Sequence, residues 1–309
     1  MRIAVVGAGG TGGYFGGLLA RAGEDVSFIA RGATLAALRN RGLTVKSRAE
    51  GEFTVSVRAT DDPGMMGPVD LVLFCVKAYD TTAAAEQIRP LLGPETVILS
   101  VQNGVDNEER FAAVVGPEPV IGATAGVSAR SEAPGVIVVD QEPGWLRFGE
   151  LTGGTSRRTE RLLEVFRGAP FTAEVHPDIR VQMWEKFVII CALSGVTALV
   201  RLPLGAILAC RETTQLYRGV MAEVASVGRA RGVAISDACV EDLFQVMTSL
   251  NPGVYGSMYH DLAAGRRLEV QALNGTVVRL GHELGIDTPL NFVIAAALQP
   301  YAAGTPLRL

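Results

Sequence analysis

The chain has 309 residues, 48% of them hydrophobic, enough apolar material for two domains with a core each. Its 28 Lys and Arg against 32 Asp and Glu leave a formal net charge of −4, and without a basic run or interleaved aromatics this argues against nucleic acid as the main partner. Four cysteines (Cys75, Cys191, Cys210, Cys239) and three histidines (His176, His260, His282) are too dispersed for a metal site, a disulfide framework or a triad; no metal is expected, and the setting read from them is the reducing cytoplasm.

The chain opens on a strand-like run, Ile3 to Val6, so no charged leader is expected. A glycine loop follows, Gly7-Ala8-Gly9-Gly10-Thr11-Gly12, and then an amphipathic stretch from Tyr14 to Gly23 and a second apolar run, Val26 to Ala30. G-x-G-x-x-G placed after a strand and opening a helix predicts a β-α-β dinucleotide site. Gly7 suits the tight turn, Gly9 the close approach of a pyrophosphate, and Gly12 the packing of helix on strand. Gly10 and Thr11 complete the candidate cofactor cradle, since the helix start supplies unpaired N–H groups. The second strand ends in Arg31, where an NAD enzyme usually carries an acid for the ribose 2′-hydroxyl; a guanidinium there favours the 2′-phosphate of NADP.

Leu43 to Thr60 alternates apolar and polar residues, as do Val136 to Val139 and Trp145 to Gly149, and these read as an antiparallel ribbon or extra strands. Leu71 to Val76 and Val97 to Val101 are further buried strands, with a helix over Thr81 to Leu92 between them. Strand-helix alternation predicts an α/β Rossmann-like doubly wound domain over residues 1–176. Lys77 and Asn103 each come just after a strand, on the side where open α/β sheets bind ligands, so a lysine for an anion and an amide for a carboxamide or hydroxyl are expected in the cleft of the glycine loop. Solvated lysine and an ordinary Asn-Gly turn are the plain alternatives.

After Pro177 strand signals vanish, and helices are predicted over Ile179 to Val200, Thr213 to Arg231, Asp237 to Leu250 and Arg266 to Leu284, giving an all-α domain over 177–309. The uncharged run Phe187 to Val200 is too short to span a membrane and reads as a buried central helix. Lys186 stands at its start: either it snorkels to water, or its pKa is lowered toward working pH for general acid catalysis. Glu185 points elsewhere on the helix and reads as a surface residue. Glu269 reads either as an apolar-face residue of the helix over Arg266 to Leu284, with Arg266 and Arg267 in solvent, or, taken alone, as a surface carboxylate, and Ser257 reads as a helix cap.

The ordered set, glycine loop, Val76-Lys77-Ala78, Gln102-Asn103-Gly104, Trp184-Glu185-Lys186, Ser257-Met258 and Glu269 to Gly275, resembles the ketopantoate reductase family along nearly the whole chain. The resemblance implies NADPH-dependent reduction of 2-dehydropantoate to pantoate, on the way to coenzyme A, with the active site between a Rossmann domain and a helical one. It implies that Gly7, Gly9 and Gly12 cradle the pyrophosphate, Arg31 binds the 2′-phosphate, Lys77 holds ligand in the cleft and Asn103 sits by nicotinamide and substrate. Lys186 matches the catalytic lysine, Glu269 would accept from the substrate hydroxyl, and Ser257 would contact the substrate carboxylate. The family commonly places asparagines one and two turns after the lysine, where this chain has Ile190 and Ser194, so Ser194 remains as a candidate substrate contact beside an apolar wall.

A paralogue acting on a more apolar 2-oxo acid or ketone is therefore the alternative enzyme reading. A non-catalytic NADP-binding sensor is the alternative of another class, opposed by retention of Lys186 and Glu269; a methyltransferase-like fold would want an acid after the second strand. The expected partner is a small-molecule 2-oxo acid, without nucleic acid or membrane. Helical second domains of such enzymes form interfaces, which allows a homodimer, but the sequence isolates no apolar face for one.

Overall fold

The computed structural model describes residues 1–305, and of 141 and 142 the backbone alone. The chain divides into two compact units, Met1–Gln102 with Asp106–Ile179 and Asn103–Val105 with Arg180–Leu309.

The first unit runs β1 (Arg2–Val6), α1 (Gly10–Arg21), β2 (Asp25–Ile29), α2 (Gly32–Arg41), β3 (Leu43–Ser47), β4 (Gly51–Val55), β5 (Arg58–Thr60), β6 (Leu71–Phe74), α3 (Thr81–Gln87), β7 (Val97–Ser100), α4 (Asn107–Val115), β8 (Val120–Ala133), β9 (Val136–Gly149), α5 (Arg157–Arg167) and β10 (Thr172–Val175). The strands form one sheet ordered β4-β3-β9-β8-β7-β6-β1-β2-β5, with β10 also on β9. Strands β5, β2, β1, β6 and β7 are parallel, and β8 and β9 form a long antiparallel hairpin. Alternate residues of each parallel strand feed opposite faces. Ile3, Val5, Leu71, Leu73 and Leu99 pack with Phe15, Leu18 and Leu38 of α1 and α2, while Ala4, Val6, Val72, Phe74 and Ile98 pack with Ala85 and Phe111 of α3 and α4. Helices on both faces make this the doubly wound domain that the strand-helix alternation predicts.

The sheet is mixed: β3 and β4 form the antiparallel ribbon expected within Leu43 to Thr60, and the β8-β9 hairpin adds a second antiparallel pair. Strand β8 carries Gly122, Ala123, Ala125, Gly126, Ser128 and Ala129, residues of low strand propensity, and is held by pairing along β9 rather than by its own pattern.

The second unit is helical among its described residues: α6 (Ile179–Val200, starting one residue before the division), α7 (Leu204–Leu208), α8 (Arg211–Ala230), α9 (Cys239–Thr248), α10 (Ser257–Ala263), α11 (Asn274–Leu284) and α12 (Pro289–Leu298). Helix α6 has 22 residues and is by length and composition apolar enough to cross a membrane, longer than the uncharged run alone suggests. Its Phe187, Val188, Cys191, Ala192 and Val196 lie in one core with Tyr217, Met221 and Val224 of α8, as a buried central helix requires.

The expected helix from Arg266 is corrected: α11 begins only at Asn274, and Arg266 to Leu273 form an extended stretch and a turn. Long-range bonding overrides propensity there, since Leu268 N–H donates to Ala302 O, and the N–H groups of Ala272 and Leu273 both donate to Glu269 O. Of the two readings of Glu269 the surface one is corrected: Glu269 is buried, while Arg266 and Arg267 are exposed.

Candidate active site

The glycine loop links β1 to α1. Gly7 has φ +101°, a left-handed conformation that glycine adopts without strain, and its N–H donates to Ile29 O at 3.1 Å. A Cβ on Gly12 would lie 2.0 Å from Gly7 O, and one on Gly10 2.1 Å from Ala129 O, so backbone closes in on both. A Cβ on Gly9, by contrast, would meet nothing within 4 Å. Gly9 is the N-cap of α1, and no side chain caps that helix start. Thr11, half-buried, stands in the first turn. An uncapped helix start, tight glycines at its back and open space in front fit a dinucleotide's pyrophosphate.

Arg31 is exposed at the N-cap of α2, and its Nη2 donates to Gln87 Oε1 at 2.6 Å. Lys77 is half-buried and precedes a short 3-10 turn, Ala78–Asp80. Gln102 ties the chain after β6 to the chain after β7: its Nε2 donates to Val76 O at 2.8 Å and to Thr81 Oγ1 at 2.9 Å, while Ser100 Oγ donates to its Oε1 at 3.1 Å. Sequence reasoning passed over Gln102 and Gln87; a polar residue following the buried Val101 was the available signal for the first, and nothing local marks the second. Asn103 is half-buried, next to Gly104 at φ +120°, and groups with the second unit.

In the second unit α6 carries half-buried Lys186, and the stretch before α11 carries buried Glu269. Burial pushes the Lys186 ammonium down from 10.5 to about 8, against the opposing pull of the Glu269 carboxylate. The two side chains therefore act on each other although 83 positions apart. Glu185, expected at the surface, is half-buried and accepts from Gln182 Nε2 at 2.7 Å.

One turn beyond Lys186, Ile190 is half-buried. Two turns beyond, Ser194 is fully buried and its Oγ has no hydrogen-bond partner. Gly256 covers this residue: a Cβ there would sit 2.4 Å from Ser194 Cα, and Gly256 N–H donates to Thr197 Oγ1 at 3.1 Å. The same packing corrects the expected cap at Ser257. Gly256 is the N-cap of α10, and Ser257 is its first helical residue, exposed.

Behind α6 a buried polar chain locks the fold of this unit. Glu223 of α8 accepts the N–H groups of Leu290 and Asn291 at 2.8 and 2.9 Å, capping α12, and Asn274 Nδ2 donates to Asn291 Oδ1 at 2.9 Å and to Cys191 O at 3.2 Å. None of the candidate residues lines the surface cavities of about 430 Å³, beside Arg39 and Arg58, and about 360 Å³, beside Arg201 and Arg266. Among the described residues no cluster of His, Cys, Asp and Glu could hold a metal ion.

The sequence matches the profile of "Ketopantoate reductase PanE/ApbA" over residues 3–153 and that of its C-terminal part over residues 178–302. It is 33% identical over 290 residues to a protein named 2-dehydropantoate 2-reductase from Archaeoglobus fulgidus, covering 94% of each chain. It is 30% identical over 303 residues to an uncharacterized oxidoreductase, YkpB, from Bacillus subtilis, covering 98% of this chain and 99% of that one. A crystal structure of 2-dehydropantoate 2-reductase from Geobacter metallireducens superposes with a TM-score of 0.90 at 35% identity, covering 97% of this chain and 99% of that one.

Proposed function

From the premise that the chain belongs to the ketopantoate reductase family, and so is an oxidoreductase that uses a nicotinamide cofactor on a small molecule, we propose that it reduces 2-dehydropantoate to pantoate with NADPH, in the cytoplasm, toward coenzyme A. The observation that carries the chemistry is the Lys186–Glu269 pair, a half-buried ammonium lowered to about 8 beside a buried carboxylate. When bound, the reduced nicotinamide supplies the hydride. Lys186 donates a hydrogen bond to the substrate ketone oxygen, stabilises the alkoxide as charge develops and releases its proton to it. Glu269 keeps that ammonium charged at neutral pH and accepts from the substrate hydroxyl. Gly7, Gly9, Gly10, Thr11 and Gly12 hold the pyrophosphate, and exposed Arg31 takes the 2′-phosphate, its nearest partner being a neutral amide. Lys77 steadies ligand anions; Asn103 orients nicotinamide and substrate.

A second reading keeps this chemistry and changes the substrate to a more apolar 2-oxo acid. Half-buried Ile190 and the closure of Ser194 beneath Gly256 support it, because neither offers a hydroxylated substrate a hydrogen bond. NADPH oxidation across a panel of 2-oxo acids that includes ketopantoate, in the parent and in Ile190→Asn, separates the two. Ketopantoate preferred by the parent supports the first reading; preference appearing only in Ile190→Asn supports the second; none in either protein sinks the substrate proposal. Lys186→Ala turning over within threefold of the parent on the best substrate would remove the acid assignment.

A further inference from the structure

We infer that Gln87 is a specificity-determining positioning residue for the cofactor's 2′-phosphate, a neutral acceptor that orients Arg31 without neutralising it. The inference rests on the NADPH reading above. Arg31 is the N-cap residue before α2 and Gln87 ends α3, and Nη2 of the one meets Oε1 of the other at 2.6 Å, 56 positions apart in sequence.

Both side chains are exposed, so an unassisted arginine would sample many rotamers and lose that freedom when it clamps a ligand. Holding it beforehand lowers that cost, as preorganisation does generally. A guanidinium has five donors in a planar fork, and one bond to Gln87 leaves enough for a bidentate hold on phosphate. The chemical identity of position 87 then matters as much as its place. A carboxylate in the same spot would make an ion pair with Arg31 and repel the incoming dianion. The neighbouring carboxylate, Glu86, is directed to Arg89, whose Nε lies 2.7 Å away, and among the described residues Arg31 has no carboxylate partner. The arrangement keeps the cation's charge for a ligand.

NADPH and NADH affinities, measured by fluorescence titration on the full chain for the parent, Gln87→Ala, Gln87→Glu and Arg31→Ala, test this. Gln87→Ala is expected to weaken NADPH roughly three- to tenfold, a charge-assisted bond discounted for exposure, and Gln87→Glu to weaken it further. NADH affinity should stay within about twofold in both, which a general structural defect would not allow. A parent without NADPH preference, or an Arg31→Ala variant that keeps it, refutes the cofactor reading and this inference with it. Preference lost in Arg31→Ala but retained in both Gln87 variants refutes the inference alone.

Discussion

Replacing Glu269 with Gln tests the acid most directly, because it removes one charge and preserves the volume of a buried side chain. In the parent, burial lowers Lys186 from 10.5 to about 8 although Glu269 opposes it, a net cost of about 3 kcal/mol for the protonated form at 1.36 kcal/mol per pKa unit. Without the carboxylate the opposing attraction is gone while the desolvation remains. Each further ~1.36 kcal/mol of attraction lost moves the ammonium down by one more pKa unit, so the variant's ammonium lies below the parent's value of about 8. The sign follows for activity: a general acid works while protonated, so the parent's kcat/KM should hold below about pH 8 and fall about tenfold for each pH unit above it. For Glu269→Gln the same alkaline limb should begin at lower pH than in the parent, leaving the variant most impaired at alkaline pH and partly rescued at pH 6. Steady-state kcat/KM for the 2-oxo acid across pH 5.5–10 is the assay. A limb that stays in place or moves upward in Glu269→Gln would refute the coupling, and a parent flat to pH 10 would refute Lys186 as the acid.

Two further outcomes follow from the packing. Gly9→Ala should leave the thermal midpoint within about 1 °C of the parent, since its Cβ meets nothing and the backbone is extended at φ −80°, yet weaken NADPH at least about tenfold; Gly12→Ala, whose Cβ would strike Gly7 O, should lower both, and equal melting losses in the two would overturn the assignment of the open space to pyrophosphate. Glu108 of α4 is buried with Oε2 unpartnered, and burial raises its carboxyl to about 8. A carboxyl raised in the folded state favours folding below its unfolded value near 4.5, and that contribution is lost as pH rises to about 8. Glu108→Gln should therefore match the parent's stability near pH 4 and exceed it by up to about 4 kcal/mol at pH 8 by denaturant titration, and an advantage that does not grow with pH would contradict the buried neutral acid.

Much of the first unit was legible because its signals are local. The strand-loop-helix spacing around Gly7 to Gly12 and the buried apolar runs at β1, β6 and β7 follow from chain chemistry within a few residues, and so does the 22-residue α6. Strand β8 was not legible, being built of small residues that acquire a strand only by pairing with β9. The stretch from Arg266 to Leu273 has helical periodicity, but backbone bonds to Ala302 and within its own turn are made only when distant segments meet. Ser257 looked like a cap because serine caps helices locally, whereas the demand for a residue without Cβ at Gly256 comes from Ser194 on another helix.

The same division runs through the candidate site. By itself the sequence determined that the chain carries a glycine loop between a strand and a helix, an arginine after the second strand and a lysine at the head of an apolar helix, because each depends on residue type and spacing alone. The tertiary structure decided what those residues feel: that Glu269 opposes the desolvation of Lys186, that Ser194 is sealed beneath Gly256, and that Gln87 holds Arg31. Electrostatic fields, desolvation and steric closure depend on distances between parts of the chain far apart in sequence, and those distances exist only once it has folded.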